Sequence, residues 1–214
     1  MKTSIRFSAF WPLCAALCLG APSVPAPAAA AETPAEAPLS PLEFLNRHDG
    51  HAKDIIPAAG DTLSAAKRQE VKAHINGAFD FAELSRRALG PHWDELAPAE
   101  RQRFVDTFSA IIAEKNFDSF LRYYRDGSIQ YRGEEQDGDA AEVKAEVPLK
   151  DRDETVNIVY RLHRVDGEWR IYDLVIDEAS TVDGYQRQYT RYLKKRTYQQ
   201  LMENLDKQLA RLQK

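Results

Sequence analysis

Two helices and a turn are predicted by residues 79–124, which read FDFAELSRRALGPHWDELAPAERQRFVDTFSAIIAEKNFDSFLRYY. The first helix covers Phe81 to Leu89 and is ended by Gly90-Pro91, because glycine tolerates a positive φ and proline cannot continue the helical hydrogen bonds. The second helix begins at Pro98, which suits a first helical position. The residue before it is a poor N-cap, but the carboxylate of Glu100 can face the free backbone amides.

The second of these helices is aromatic on two faces. One face repeats at three- and four-residue spacing and carries Phe104, Phe108, Ile111 and Ile112. A second face is rotated from the first and carries Phe117, Phe120, Leu121 and Tyr124. The pattern shifts at Lys115-Asn116, so the helix either bends there or contacts two partners in succession. The apolar surface has two interpretations, which are ordinary core packing and the lining of an apolar cavity.

The first 31 residues have the pattern of a signal peptide. Lys2 and Arg6 precede a short apolar run, and small residues up to Ala31 form a cleavage site. The apolar run is too short for a comfortable membrane span. We therefore expect cleavage near Ala31 and export of the protein. Cys14 and Cys18 lie in the removed segment, so the mature chain would have no disulfide and no thiol chemistry.

The remainder of the chain is expected to form a single domain. Residues 32–41 are rich in alanine and proline and predict a disordered leader, while residues 42–214 have the length of one domain with a real core. Loss of the two positive charges in the signal peptide changes the formal net charge from −4 to about −6. A mildly acidic protein is a poor candidate for binding nucleic acid or an anionic membrane surface.

Helices are also predicted before residue 79. Apolar residues from Leu42 to Ile56 indicate a first helix that ends near Pro57, with Gly50 as a weak point. Thr62 is expected to cap a second helix, because a threonine hydroxyl can accept a hydrogen bond from a first-turn amide. The first half of the domain is therefore predicted to be helical.

The second half changes to the two-residue period of β-strands. Apolar and charged residues alternate from Ala141 to Leu149 and again from Val156 to Leu162, which predicts two half-buried strands. Asp166-Gly167 predicts a tight hairpin before Trp169 to Ile176, a strand that is apolar on both faces. With another strand starting near Ser128, these segments predict a four-stranded antiparallel meander in an α+β fold.

The chain ends in two predicted helices, and Thr197 can cap the second. The second helix has a stripe that either packs on the domain or binds a partner, formed by Leu201, Met202, Leu205, Leu209 and Leu212. The first helix is tyrosine-rich on one face and basic on its flanks, at Arg187, Arg191, Lys194, Lys195 and Arg196. These basic residues are either a solvated face or a patch that docks a partner.

No catalytic or metal motif is found in the sequence. Phosphate loops, nucleophile elbows and zinc-protease motifs are all missing from it. His48 and His51 would need further ligands from elsewhere to hold a metal, so no metal and no other cofactor is predicted. Asp173 lies within an apolar strand and could be a base with a raised pKa. A structural hydrogen bond is the interpretation that we favour for it.

Two segments carry a family resemblance. The first is FDFAELSRRALGPHWDELAPAERQRFVDTF, and the second is GEWRIYDLVIDEAS followed by a helix with tyrosine and glutamine. These segments resemble the toluene-tolerance or MlaC family, whose members are periplasmic phospholipid-binding proteins that assist ABC transporters. The similarity in the order of elements covers about residues 40 to 210. The family usually has glycine and a branched apolar residue before Ser180, where this chain has Glu178 and Ala179.

The resemblance implies helices wrapped on a curved antiparallel sheet, similar to the nuclear-transport-factor cone, with an apolar pocket. It implies a periplasmic carrier that holds phospholipid acyl chains and moves lipid between two partners. One partner is an outer-membrane lipoprotein complex, and the other is the substrate-binding ring of an inner-membrane ABC transporter. One branch of the family is associated with hopanoid lipids, so such a lipid is an alternative, as is an enzyme of the same fold that uses Asp173.

A carrier of this kind needs a large apolar interior. Burial of one methylene is worth about 0.8 kcal/mol, so two chains of about 15 methylenes represent on the order of 24 kcal/mol. The protein has to offer nearly equivalent burial in order to take lipid from a bilayer. The residues expected to line the pocket are Leu84, Leu89, Phe108, Ile112, Val147, Ile158, Tyr160, Ile171 and Val175.

Overall fold

Six α-helices and one antiparallel sheet form the domain in a computed structural model, which describes residues 39–57, 61–126, 128–149 and 154–213. The helices are α1 Pro41–Ile55, α2 Ala65–Gly77, α3 Phe81–Leu89, α4 Pro98–Asp126, α5 Thr181–Leu193 and α6 Tyr198–Leu212. The strands are β1 Gln130–Asp137, β2 Ala140–Leu149, β3 Glu154–Val165, β4 Glu168–Ile176 and β5 Ala179–Ser180. The predicted signal peptide and most of the predicted leader lie outside the described residues.

The sheet is an antiparallel meander in the order β1-β2-β3-β4-β5. The predicted combination of helices with an antiparallel sheet is confirmed. The four expected strands are present, and β5 adds a short fifth strand at the edge next to β4. This fifth strand was missed because two residues are too few to show an alternating pattern.

Side-chain caps explain where most of the helices begin. Ser40 and Glu43 form a capping box at α1, which continues through Gly50 without interruption. The prediction that Thr62 caps α2 is wrong, because the cap is Ser64, whose hydroxyl accepts from the Lys67 amide at 3.2 Å. Both residues can cap a helix, and the sequence pattern does not decide between neighbours two positions apart.

The predicted end of α3 at Leu89 and the predicted start of α4 at Pro98 are confirmed. Gly90 follows α3 with a φ of 56°, a conformation that favours glycine, and opens a 3₁₀ turn. At the start of α4 the carboxylate of Glu100 accepts a hydrogen bond of 3.0 Å from the Ala97 amide. A carboxylate therefore satisfies a backbone donor where the capping residue has no polar side chain.

Helix α4 contacts several partners along its length, as one of the two interpretations of its shifting stripe predicted. Phe104 and Phe108 are fully buried and pack with edge-on geometry against Tyr189 of α5. About two and a half turns after Phe108, Phe117 lies beneath the Arg68 guanidinium of α2, and the Phe120 ring centroid lies 6.5 Å from that of Tyr160 of β3. The two aromatic faces thus serve different neighbours.

The apolar stripe of α6 packs on the domain over most of its length. Leu201, Met202 and Leu205 are buried, and α6 is tied to α4 by an ion pair of 2.9 Å between Arg103 and Asp206. The predicted cap at Thr197 is confirmed, with a capping box completed by Gln200. None of the described helices is long and apolar enough to cross a membrane.

Candidate functional site

A cavity of about 540 Å³ lies where α4, the sheet and α5 meet. Helix α4 supplies Ile112, Lys115, Asn116, Ser119, Phe120 and Tyr123. The sheet supplies Ile158, Leu174, Ile176, Ala179 and Ser180, and the two C-terminal helices supply Thr181, Gly184, Tyr185, Gln188 and Gln208. The cavity is open to solvent on one side and lies beside the buried core of the domain.

The side chains that are hidden most deeply in this cavity are apolar. Ile112, Phe120, Tyr123, Ile158 and Leu174 are each at most 5 % exposed and are part of the continuous hydrophobic core. Ile158 of β3 and Ile176 of β4 are directly paired in the sheet and face the cavity together. An apolar molecule that enters here would contact carbon atoms on both the helical side and the sheet side.

The outer part of the wall is polar. Lys115 and Gln188 are exposed, and the Lys115 ammonium donates a hydrogen bond of 2.8 Å to the Tyr185 hydroxyl. The amide nitrogen of Asn116 is buried and has no hydrogen-bond partner among the described residues. The cavity therefore combines a buried, largely apolar wall that includes one unpaired amide donor with an exposed rim that has a cation.

Asp173 fixes the start of α5, which forms one wall of the cavity. Its carboxylate is 1 % exposed and accepts hydrogen bonds from the Ser180 hydroxyl at 2.7 Å and from the Val182 amide at 2.9 Å. The Arg161 guanidinium lies 3.3 Å away from the same carboxylate. Ser180 is also the N-cap of α5 and accepts from the Asp183 amide at 3.0 Å. The expectation that Asp173 makes structural hydrogen bonds is confirmed.

The turn before α5 contains Glu178, one of the two positions where the chain departs from the family pattern, and the other position, Ala179, begins β5. Asp177 and Glu178 connect β4 to β5, and their φ angles are 44° and 67°. Two consecutive positive φ angles are the requirement of a tight hairpin turn, for which glycine is favoured at the second position. Glu178 therefore adopts a left-handed conformation that disfavours a side chain. Asp177 compensates in part, since its carboxylate accepts from the Asn157 amide at 3.0 Å.

The nine residues expected to line a pocket are divided between this cavity and the core. Ile112 and Ile158 lie in the cavity wall. Tyr160 and Ile171 border a much smaller space of about 10 Å³ near α1 and α2. The remaining buried members of the set do not border the cavity and lie within the core, namely Leu84, Leu89, Phe108 and Val147.

Val175 lies on the opposite face of the sheet because β4 contains a bulge. Leu162 pairs with Ile171 and Arg161 pairs with Asp173, which leaves Tyr172 as an extra residue. One extra residue exchanges the faces of everything that follows it, since side chains alternate with a period of two. Leu174 and Ile176 consequently face the cavity, and Val175 faces away with Asp173.

Sequence reasoning missed the part of the wall formed by α5 and β5. Gly184 and Gln188 lie about one helical turn apart, and Tyr185 follows Gly184 directly. This spacing is visible in the sequence, but the proximity of these residues to α4 results from a long-range contact that spacing does not reveal. Ser180 was available as a signal, because a serine before a helix with aspartate three residues later marks a helix start.

A second group of ionisable side chains lies away from the cavity, between α1, α2 and the sheet. The carboxylate of Asp49 accepts hydrogen bonds from the hydroxyls of Tyr124 at 2.6 Å and Tyr131 at 2.5 Å, and burial raises its pKa. Next to it the His48 ring stacks on His74 at 4.2 Å between centroids. Burial, followed by the neighbouring imidazoles, lowers the pKa of His48 to about 4.

This second group is not arranged as a metal centre. Nowhere in the described ranges do three or more histidine, cysteine, aspartate or glutamate side chains converge in a way that could hold a metal ion. The Nε2 atom of His74 lies 2.8 Å from the His48 carbonyl oxygen and is engaged within the helix pair. The arrangement instead joins α1 to α2 and to the sheet.

Comparisons with known proteins agree with the resemblance seen in the sequence. The sequence model of the family described as MlaC protein matches residues 53–207, well over half of the chain. No curated protein matches the chain in sequence. A structure titled as the phospholipid-binding protein from Ralstonia solanacearum in complex with a phospholipid has a TM-score of 0.68 and 21 % sequence identity. The match covers 80 % of this chain and 97 % of that one, and it shows a shared fold.

Proposed function

The chain belongs to the MlaC family, and on this premise we propose that it is a periplasmic carrier that holds the acyl part of a phospholipid in the cavity between α4 and the sheet. The observation that carries the proposal is the composition of that cavity, with buried apolar residues inside and polar residues at the opening. The phospholipid in the Ralstonia protein, whose fold is shared, gives independent support.

The chemistry of the wall matches the two parts of a phospholipid. Ile112, Phe120 and Ile158 offer apolar contacts on opposite sides of the cavity, and each methylene buried there is worth about 0.8 kcal/mol. The Lys115 ammonium at the opening can approach a phosphate, and the free Asn116 amide can donate to a phosphate or ester oxygen. A headgroup at the opening would remain partly in water, so no deep charged site is needed.

The cavity has the size of a protein site for a small molecule. Such pockets span about 300–1,000 Å³, and this cavity has a volume of about 540 Å³. We therefore expect it to take up acyl chain while the headgroup stays at the opening.

The carrier would exchange lipid with membrane complexes at both ends of its path. Under the proposal these are an outer-membrane lipoprotein complex and the substrate-binding ring of an inner-membrane ABC transporter. Binding alone sets an equilibrium between carrier and membrane, so the direction of net transport is determined by the partners. The predicted signal peptide agrees with a periplasmic location.

A vesicle assay tests the carrier function directly. The purified protein is incubated with donor vesicles containing a fluorescent phospholipid and with unlabelled acceptor vesicles. We expect transfer well above the spontaneous rate, and we expect Ser119→Trp to reduce it because the indole fills the cavity. Glu203→Trp, at an exposed position of α6 outside the cavity, is the matched control and should transfer normally. A rate equal to that without protein would contradict the proposal.

A polycyclic lipid of the hopanoid type is distinguished by the same assay. Such a lipid has a rigid ring system in place of flexible chains, and competition measures its preference. Unlabelled phospholipid should suppress transfer of the fluorescent phospholipid more strongly than an equal amount of hopanoid. The reverse order would retain the carrier function and change the lipid.

A further inference from the structure

The C-terminal part of α5 and the turn after it carry five positive charges and no negative charge within ten residues. These residues are Arg187, Arg191, Lys194, Lys195 and Arg196, and all five are exposed. The protein as a whole has a formal net charge of −4. The charge is therefore strongly segregated, and the average over the chain hides a local cationic surface. We refer to the five residues together as the cationic face.

The cationic face is not neutralised within the domain. Across the part of the chain that the structure describes, none of its five side chains makes an ion pair or a side-chain hydrogen bond. Elsewhere in the same ranges arginines are commonly paired, as Arg103 is with Asp206 and Arg132 with Glu146. Five unpaired like charges repel one another, which raises the electrostatic free energy of the free protein. A binding partner with negative charge would reduce this repulsion.

The cationic face borders the opening of the cavity. Gly184 and Gln188 line the cavity, and Arg187 and Arg191 each follow one of them by three residues on α5. Side chains three positions apart are neighbours on a helix surface. Next to the same opening, Lys115 adds a further positive charge. Anything that binds the cationic face is therefore adjacent to the route by which a lipid enters.

We propose that the cationic face binds the surface of an anionic lipid bilayer and so places the opening of the cavity at the headgroup layer. The biological role of this binding rests on the proposed function, because it brings a lipid carrier to its lipid. Binding to the bilayer itself can be measured independently. It revises the expectation, drawn from net charge, that the protein is a poor candidate for an anionic membrane surface. Clustered arginine and lysine side chains gain from the negative potential of such a surface whatever the average charge.

The composition of the cationic face favours a bilayer over an acidic protein. Stable protein interfaces are centred on buried aromatic or aliphatic anchors surrounded by polar residues. The groove on this side of α5 is instead lined only by polar and charged residues, which are Gln186, Arg187, Thr190, Arg191 and Lys194. A layer of phosphate headgroups requires charge but no matching shape, which is what this surface offers.

Vesicle co-sedimentation tests the proposal. The probes are vesicles of pure phosphatidylcholine and vesicles in which about a quarter of the lipid is phosphatidylglycerol. We expect binding to the anionic vesicles only, with a steep decrease at high salt because the interaction is electrostatic. The double variant Arg187→Glu with Arg191→Glu should lower the partition coefficient at least tenfold, on the order of the gain from about two such charges.

A charge-matched variant and a second readout make the result decisive. Lys53→Glu with Lys67→Glu changes the net charge equally but lies on α1 and α2, so it should bind anionic vesicles nearly as the original protein does. Circular dichroism verifies folding of both variants. Equal binding to neutral and anionic vesicles, or full binding by the Arg187/Arg191 variant, would overturn the proposal.

The same experiment separates this inference from the carrier function. Arg187 and Arg191 do not line the cavity, so the Arg187/Arg191 variant should still carry lipid when extracted and analysed by mass spectrometry. Normal lipid content without any vesicle binding by the original protein would overturn the bilayer proposal and leave the carrier function intact. A further outcome would also overturn the bilayer proposal. If the original protein binds no vesicles but binds an acidic protein, and the Arg187/Arg191 variant loses that binding, the cationic face is assigned to the acidic protein.

Discussion

The hydroxyl of Ser180 donates a hydrogen bond of 2.7 Å to the carboxylate of Asp173, which is 1 % exposed. This contact joins β4 to the first residue before α5, and the same carboxylate accepts from the Val182 amide inside α5. The wall of the cavity that α5 provides is therefore held by one buried charge. A buried charge is tolerated only with such partners, which here include the Arg161 guanidinium.

Replacement Asp173→Asn should destabilise the domain by about 2–3 kcal/mol. A neutral amide presents a single acceptor oxygen and loses the charge that strengthens three contacts. Urea denaturation measures the change, and Asp183→Asn at an exposed position of α5 is the control. A variant that keeps the original stability would contradict this structural role of Asp173.

The Asp173→Asn variant also addresses the enzymatic alternative. Because all of its described contacts are structural, we expect a folded fraction of this variant to retain lipid transfer at a temperature well below its unfolding midpoint. Loss of transfer in a fully folded protein would indicate that the carboxylate has a role beyond holding α5.

Replacement Glu178→Gly should stabilise the domain by about 1 kcal/mol. The φ angle of Glu178 is 67°, which a residue with a side chain adopts at a cost of about 1–2 kcal/mol and glycine adopts freely. Part of this gain is offset by the greater freedom of glycine in the unfolded chain. Thermal unfolding monitored by circular dichroism checks the direction of the change.

The matched control for that substitution is Glu154→Gly, at an exposed position at the start of β3. Its backbone is not among the residues with positive φ, so glycine should there be neutral or destabilise by about 0.5–1 kcal/mol. If both glycine variants change stability in the same direction, the turn conformation is not the reason.

Replacement Gly90→Ala should destabilise the domain by at least about 1–3 kcal/mol. Gly90 has a φ of 56°, and an added Cβ would lie 2.5 Å from the Gln186 side-chain nitrogen. Gly77→Ala, where no atom lies within 4 Å of the added carbon, should be tolerated or slightly stabilising. Equal stability of the two alanine variants would show that the contact between the end of α3 and α5 is not tight.

The local signals in the sequence predicted much of the fold, because the features involved are short-range. Pro91 and Pro98 restrict the backbone through their rings, and Gly90 and Gly167 allow the positive φ that a turn needs. The elements that these residues bound were predicted correctly. The cap of α2 was predicted at Thr62, two residues before the actual cap Ser64, because both residue types can cap a helix. Short-range chemistry thus fixes where elements start and stop, with errors of a few residues.

The cavity was harder to predict because it depends on long-range geometry. The bulge at Tyr172 exchanges the faces of β4, and no feature of the alternating pattern indicates it. Ile112 and Ile158, two of the residues expected to line the pocket, border the cavity, whereas Phe108 has the same apolar pattern and lies in the core. The packing of α5 against α4 determines which buried residues border the cavity.

Stability should fall as the pH is lowered from about 6.5 towards 4 because of His48. Its pKa is lowered to about 4 in the folded protein, so in this range the unfolded chain binds a proton that the folded chain does not. The contribution is fully present above about pH 6.5 and is lost progressively on acidification, by on the order of 2–3 kcal/mol. Urea denaturation at neutral and mildly acidic pH measures the slope.

The variant His48→Gln isolates this contribution. Asp49 acts in the opposite direction, since its raised pKa makes the folded protein bind more protons than the unfolded chain as the pH falls. The difference between the original protein and His48→Gln cancels the Asp49 contribution to a first approximation. If the two proteins lose stability in parallel between neutral pH and pH 5, His48 is not the group responsible.

Lipid content of the protein purified from the periplasm without detergent tests the central claim most directly. The organic extract is analysed by mass spectrometry, and the lipid is quantified per protein chain. We expect a stoichiometric phospholipid in the original protein and in Glu203→Trp, and a strongly reduced amount in Ser119→Trp, whose indole occupies the cavity. A folded original protein that contains no lipid, or a Ser119→Trp variant with unchanged lipid content, would contradict the assignment of this cavity.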